Sequence, residues 1–174
     1  MISRQFISKI FAFFVGLWCV YIAYEFNSKS NTVLSGSIYG TTWTISSSDY
    51  ISDYHHVNIN KILNSVDSVA SNYKDTSEVS IINIKPLNNY FEISDELTEL
   101  ITTAEIVKNQ SNGFYDITLG KISASKGFSP DFGLDLSDYV EVGNTKYELK
   151  TNKLIKYQDF WFDMSSIAKG FAVQ

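Results

Sequence analysis

From His55 to Tyr73, in HHVNINKILNSVDSVASNY, apolar residues recur every three or four positions: Ile59, Ile62, Leu63, Val66, Val69, Ala70 and Tyr73. That spacing places them on one face of an α-helix, the face expected to be buried. A second helix is expected from Ser94 to about Gln110, with Leu97, Leu100, Ile101, Ala104 and Val107 as its inner stripe. Ser94 suits the N-cap and Asp95 and Glu96 the first turn, while Asn112-Gly113 suits a left-handed stop. Before these helices, SGSIYGTTWTISSS reads as one strand carried by Ile38, Thr42, Trp43 and Ile45, with Gly40 marking a bulge or a close approach. KDTSEVSIIN, between the helices, reads as a turn and a short strand, with Ser77 able to cap the residues after it. From Tyr139 to Tyr157, turn signals at Gly143-Asn144 and Thr151-Asn152 separate short alternating strands, a β-meander that feeds Phe160 to Asp163. A short strand bearing Asp163 then runs into Ser165-Ser166, after which Ile167, Ala168, Phe171 and Ala172 show helical spacing. Helices and meander strands mix without regular β-α-β alternation, which makes the class α+β.

The N-terminal stretch has another pattern. Arg4 and Lys9 precede fifteen unbroken apolar residues, Ile10 to Tyr24, and Glu25 comes directly after them. Basic before and acidic after sets the N-terminus on the cytoplasmic side. The run has the length of a signal-peptide core, and Phe6, Phe26 and a snorkelling Lys9 could extend it to a short span. No A-x-A cleavage pattern is present, and Trp18 before Cys19 is too large for a lipoprotein site. The expectation is residues 1–26 as a signal anchor, with a cleaved signal as the alternative, 27–35 as a linker, and 36–174 as one exported domain. Its expected place is the periplasmic side of the cytoplasmic membrane.

Composition narrows the chemistry. The chain has 174 residues, 44% of them hydrophobic and 15% aromatic, with only 2 Pro, a globular make-up. A net charge of −5 argues against nucleic acid as a partner. Cys19 is the sole cysteine, so the domain can form no internal disulfide, zinc–thiolate site or catalytic thiol. His55 and His56 are adjacent, and neighbouring side chains on regular structure point apart, so joint metal ligation is not expected.

Chemistry concentrates in a few stretches. In NGFYDITLG, Phe114 and Tyr115 stand beside Asp116 at a chain reversal; alone this reads as a buried cap and strand with Asp116 holding a turn, and it would also suit the edge of a flat ring. In FDMSSIAKGFAV, the free amides expected near Ser165-Ser166 would favour an anion, with Lys169 one turn on. The serine hydroxyls could cap the helix or reach a hard cation.

The order GTTWTI, LNSVDSVASNYKDTSEVSIIN, NGFYDITLG, FDMSSIAKGFAV resembles the ApbE family from about Tyr39 to Val173. The resemblance implies an ApbE-like, T-fold-like domain of antiparallel strands packed with helices. It implies an FAD:protein FMN transferase, which cleaves the FAD diphosphate, attaches FMN to a Thr or Ser of a target protein and releases AMP, with Mg²⁺. Tyr39, Tyr73, Phe114, Tyr115, Asp116, Asp163 and Lys169 would contact FAD, and Ser166 would supply one oxygen to magnesium. The acceptor would be a flavoprotein subunit, as of an ion-pumping redox complex. Family domains continue well beyond the last block, with a further glycine-containing strand, a His near a DP.TG turn, and acidic and threonine metal ligands; Gln174 stands where an Asp is usual. The chain is therefore expected to be the N-terminal half of such a domain, truncated and inactive alone. The alternative is a membrane-tethered flavin-binding module without transfer chemistry.

Overall fold

The structure, a computed structural model, describes residues 4–28, 32–39, 41–134, 136 and 146–174. Gly40, part of the linker and the Gly143-Asn144 turn lie outside the described residues. Two compact units result: Met1–Gly36 with Thr42–His56, and Ser37–Thr41 with Val57–Gln174.

The first unit holds helix α1, Arg4–Ser28, and most of strands β1, Thr32–Ile38, and β2, Thr41–Ser47, which pair as a two-stranded sheet. The expected single strand is thus two, broken around Tyr39, whose φ of 55° turns the chain. Among the described residues no helix is long and apolar enough to cross a membrane, so the expected spanning anchor is not borne out. The physical reason is length and dilution. Fifteen apolar residues fall short of the roughly 20 a span needs, and Gly16, Trp18, Tyr21 and Tyr24 weaken the run.

The second unit is built on two long helices. Helix α2, Asp53–Ala70, begins in the first unit and buries Leu63, Val66, Val69 and Ala70 in the second. Ile62 and Tyr73, expected on the same face, are instead 55% and 56% exposed. Helix α4, Asp95–Gln110, is capped by Ser94, whose hydroxyl accepts the Leu97 N–H, and buries Leu97, Leu100, Ile101 and Ala104. Val107, in the last turn of that stripe, is 37% exposed. Each fully buried leucine or isoleucine contributes roughly 1.5–3 kcal/mol. Gly113 ends the helix region at φ 83° and donates to the Lys108 carbonyl, the left-handed stop its position predicts.

The expected strand in KDTSEVSIIN is a helix, α3, Glu78–Asn83. Ser77 accepts the Ser80 N–H, and Val79 and Ile82, three apart, both reach the core. A cap and a buried face override the strand preference of the β-branched residues. Strand β3, Tyr90–Glu92, has no counterpart in the sequence pattern. It pairs antiparallel with β5, Lys153–Lys156, which pairs antiparallel with β4, Tyr147–Lys150, across the Thr151-Asn152 turn. The sheet order is therefore β3-β5-β4.

A 3₁₀ turn at Ile117–Leu119 leads into α5, Gly120–Ser125. Gly120 meets the Trp161 backbone so closely that a Cβ there would lie 2.7 Å from the Trp161 oxygen. Phe160 and Phe162 pack edge to face at 4.9 Å, with Tyr147 5.1 Å from Phe162.

The Asp163 segment is buried but forms no strand. The Asp163 N–H donates to the Ile117 carbonyl at 2.7 Å and the Trp161 carbonyl accepts the Gly120 N–H at 2.9 Å, but at Phe162 and Met164 the backbone partners are side chains. Asn83 accepts the Phe162 N–H at 2.7 Å and donates to the Phe162 carbonyl at 3.0 Å. Asn72 donates to the same carbonyl at 2.8 Å and accepts the Met164 N–H at 2.8 Å. Two amide side chains do here what a neighbouring strand would do in a sheet. The last helix, α6, Ala168–Phe171, is also shorter than expected. The serines do not cap it; Asp163 caps the preceding turn, accepting the Ser165 N–H at 2.9 Å and the Ser165 hydroxyl at 2.5 Å.

Candidate functional site

Tyr39, Tyr73 and Lys169, from three distant stretches of chain, line one cleft together with Ala70, Ser71, Asn72, Ser165 and Ala168. Tyr39 is held in place by its hydroxyl, which donates to the Leu63 carbonyl at 2.9 Å. Burial, with help from the Asp67 carboxylate, pushes this phenol up to about 12, so it stays neutral across the physiological range. Tyr73 is more exposed, and its hydroxyl donates to the Phe128 carbonyl at 2.8 Å. Lys169 is exposed on α6 and brings a positive charge to the opposite wall. The cleft itself measures about 20 Å³, room for about a water molecule.

A second group gathers beside Asp163. The Ser166 hydroxyl donates to the Tyr115 hydroxyl at 3.2 Å, and the Asp163 N–H donates to the Ile117 carbonyl at 2.7 Å. These two bonds join the Tyr115 loop to the terminal segment. Burial raises the Tyr115 phenol; the Ser166 bond lowers it in part, and the Asp163 and Asp116 carboxylates add to the rise. Tyr115 is thus a neutral donor or acceptor, poised between a hydroxyl and two acids.

Asp116 is engaged by its neighbours. Its carboxylate accepts the Thr118 N–H at 2.8 Å and the Thr118 hydroxyl at 2.7 Å, and pairs with Lys108 at 3.0 Å and Lys146 at 3.7 Å. Burial alone would raise this carboxyl, but the Thr118 and Lys108 contacts outweigh it and hold it below the usual range. The arrangement makes Asp116 an anchor for the turn that carries Tyr115. Phe114 stands 96% exposed on the adjacent surface.

The donor set does not by itself fit magnesium. Among the described residues no group of three or more His, Cys, Asp or Glu could hold a metal. A hard divalent ion wants about six oxygens in octahedral array. Ser166 offers one.

Residues that pattern reading passes over include Asn72 and Ser71 in the cleft wall and Asn83, which is bonded to the Phe162 backbone. The signal for them is modest: two asparagines, in SNY and IIN, set beside apolar positions whose neighbours are buried.

Comparison with known proteins bears directly on this arrangement. Residues 39–174 match the ApbE family. A Haemophilus influenzae protein named FAD:protein FMN transferase is 32% identical over 159 residues, covering 80% of this chain and 46% of that protein. A Vibrio cholerae protein of the same name is 27% identical over 156 residues, with the same coverage. Among solved structures, the flavin transferase ApbE from Vibrio cholerae superposes with a TM-score of 0.71 at 25% identity, covering 83% of this chain and 51% of that one. The apo flavinyl transferase ApbE of Pseudomonas stutzeri, at 23% identity and a TM-score of 0.68, shares the fold. The chain spans about half the length of the curated relatives it matches. The family match takes in the cleft, the Tyr115 loop and the Asp163 segment together, and the chain belongs to the ApbE family.

Proposed function

We propose that this chain provides the N-terminal part of an FAD:protein FMN transferase site. In the reaction a Thr or Ser oxygen of the acceptor protein displaces AMP at the FMN phosphorus of FAD. The diphosphate bond breaks, a phosphoester forms, and the hydroxyl proton is released. What carries the reading is the meeting of Tyr39, Tyr73 and Lys169 on one cleft. Two phenol rings offer π-faces to a flavin or adenine ring, and an exposed ammonium offers charge to the diphosphate. In this reading Tyr115, bonded to Ser166, and the exposed Phe114 would meet another part of FAD, while Asp163 orders the Ser165 turn. Magnesium, in this reading, would take one oxygen from Ser166 and its remaining ligands from outside the described residues. The acceptor would be a flavoprotein subunit, such as one in an ion-pumping redox complex.

Two experiments test the proposal. Titrating the full chain with FAD is expected to give saturable quenching of flavin fluorescence. With Mg²⁺ and an acceptor peptide present, it is expected to give neither AMP nor attached FMN, because the chain spans about half the length of the relatives it matches. Absence of saturable quenching sinks the flavin assignment. Efficient attachment would show that the chain needs no further ligands. The alternative, a flavin-binding module that never transfers, is separated by adding the missing ligands in trans as the C-terminal half of a relative: AMP then appears only for a transferase.

The proposed location is the extracytoplasmic side. Arg4 and Lys9 before a fifteen-residue apolar run suit a targeting segment, whether retained or cleaved. Fractionation should recover the chain with the cell envelope, and N-terminal sequencing then tells a retained anchor (Met1 present) from a cleaved signal. A chain retained in the cytosol with Met1 intact would refute this placement.

A further inference from the structure

The two walls of the cleft come from opposite ends of the second unit, and one side chain ties them together. Asn72 sits just past α2, buried, and stands directly before Tyr73 of the aromatic wall. Its amide reaches across to the terminal segment, donating to the Phe162 carbonyl and accepting the Met164 N–H, each at 2.8 Å. Asp163 lies between those two attachment points, and its own N–H is taken by the Ile117 carbonyl. The residue before Asn72 is fixed as well, since the Ser77 and Ser80 hydroxyls both donate to the Ser71 carbonyl, at 2.6 and 3.3 Å. Both polar atoms of the Asn72 side chain are therefore committed to backbone, although Asn72 borders the cleft.

From this geometry we infer that Asn72 is a positioning residue for flavin-nucleotide binding: it sets the spacing between the tyrosine wall, Tyr39 and Tyr73, and the polar segment from Asp163 to Lys169. The inference rests on the flavin reading of the cleft. A single amide that pairs with both sides of residue 163 fixes the height and rotation of that segment against α2. Without it, Phe162 keeps its contacts to Asn83, but Met164 loses its acceptor. Ser165, Ala168 and Lys169 come after Met164 and would move with it. Ligand contacts built on two walls lose affinity when the walls drift by even an ångström.

The test uses the full chain with Asn72→Ala and Asn72→Asp, read by FAD titration and by residue-resolved amide exchange. Asn72→Ala is expected to weaken FAD affinity by about tenfold or more. It should speed exchange at Met164 while the Leu97, Leu100 and Ile101 amides of α4 keep their wild-type rates. Asn72→Asp retains an acceptor for the Met164 N–H and should restore its protection. Unchanged Met164 exchange in Asn72→Ala overturns the inference, as does unchanged FAD affinity. Faster exchange throughout α4 would make Asn72 a general scaffold residue and overturns it too. A wild-type chain that does not bind FAD sinks the flavin reading and this role together, whereas the exchange result alone can sink this role.

Discussion

Replacing Asn83 with alanine is expected to destabilise the chain by about 3 kcal/mol. The side chain is buried and pairs with both backbone groups of Phe162, at 2.7 and 3.0 Å. Removing it strands the Phe162 N–H in the core, while the carbonyl keeps Asn72. An unsatisfied buried donor costs about 1–3 kcal/mol, and the lost packing around a truncated side chain adds to that. Asn64 supplies the comparison. Its amide also donates to a backbone carbonyl, that of Asn60 at 2.7 Å, but on an exposed helix face. Asn64→Ala should change stability by no more than about 0.5 kcal/mol. Denaturant unfolding of the two variants decides the matter. Equal midpoints would mean that the Asn83 amide does not hold Phe162 as described.

Stability should also rise with pH between about 8 and 10, and Lys156 is the reason. Its side chain is fully buried, donates to the Asn83 carbonyl at 2.7 Å and stands 5.2 Å over the Phe160 ring. Burial pushes this ammonium down from 10.5 to about 8; Asp159 opposes the fall and Lys121 adds to it. Folded and unfolded chains both carry the proton below pH 8, so the full penalty of burying the charge is present there. Between pH 8 and 10.5 the folded chain releases its proton first, the unfolded chain binds more, and the folded state gains. Across the whole interval the gain is up to about 3 kcal/mol. Above pH 10 the trend should reverse, because Tyr39 and Tyr147 are pushed up in the fold and ionise first when unfolded. Lys156→Met should flatten the rise. A wild-type profile level from pH 8 to 10, or the same climb in Lys156→Met, would remove Lys156 from the account.

Long, strongly periodic segments are readable from the chain, and short or paired ones are not. Helices α2 and α4 carry four buried apolar residues each at three- and four-residue spacing, and α4 adds a serine cap and a glycine stop. In α3 the β-branched Val79, Ile81 and Ile82 imitate a strand; only the Ser77 cap and the packing of one face decide otherwise. Strand β3 has three residues, too few for any period to declare itself. Phe160 to Met164 has the composition of a strand, yet the partners of Phe162 and Met164 lie 79 to 92 residues away on side chains. No local pattern encodes that. In the site, Tyr39, Tyr73 and Lys169 are legible through family resemblance, and the cleft brings them together. Asn72 is not, because a polar residue at the end of a helix reads as solvent-facing.

A sheet ladder is written in main chain, so almost any single amino-acid change leaves its donors and acceptors in place. At Trp161 and Asp163 the stretch around Phe162 keeps that insurance, but at Phe162 and Met164 the pairing depends on two particular amides. One nucleotide substitution in either asparagine codon can erase bonds that several substitutions in a strand would not. Among naturally drifting copies of this gene, loss of order at Phe162 and Met164 should therefore trace to these two codons before it traces to exposed residues nearby.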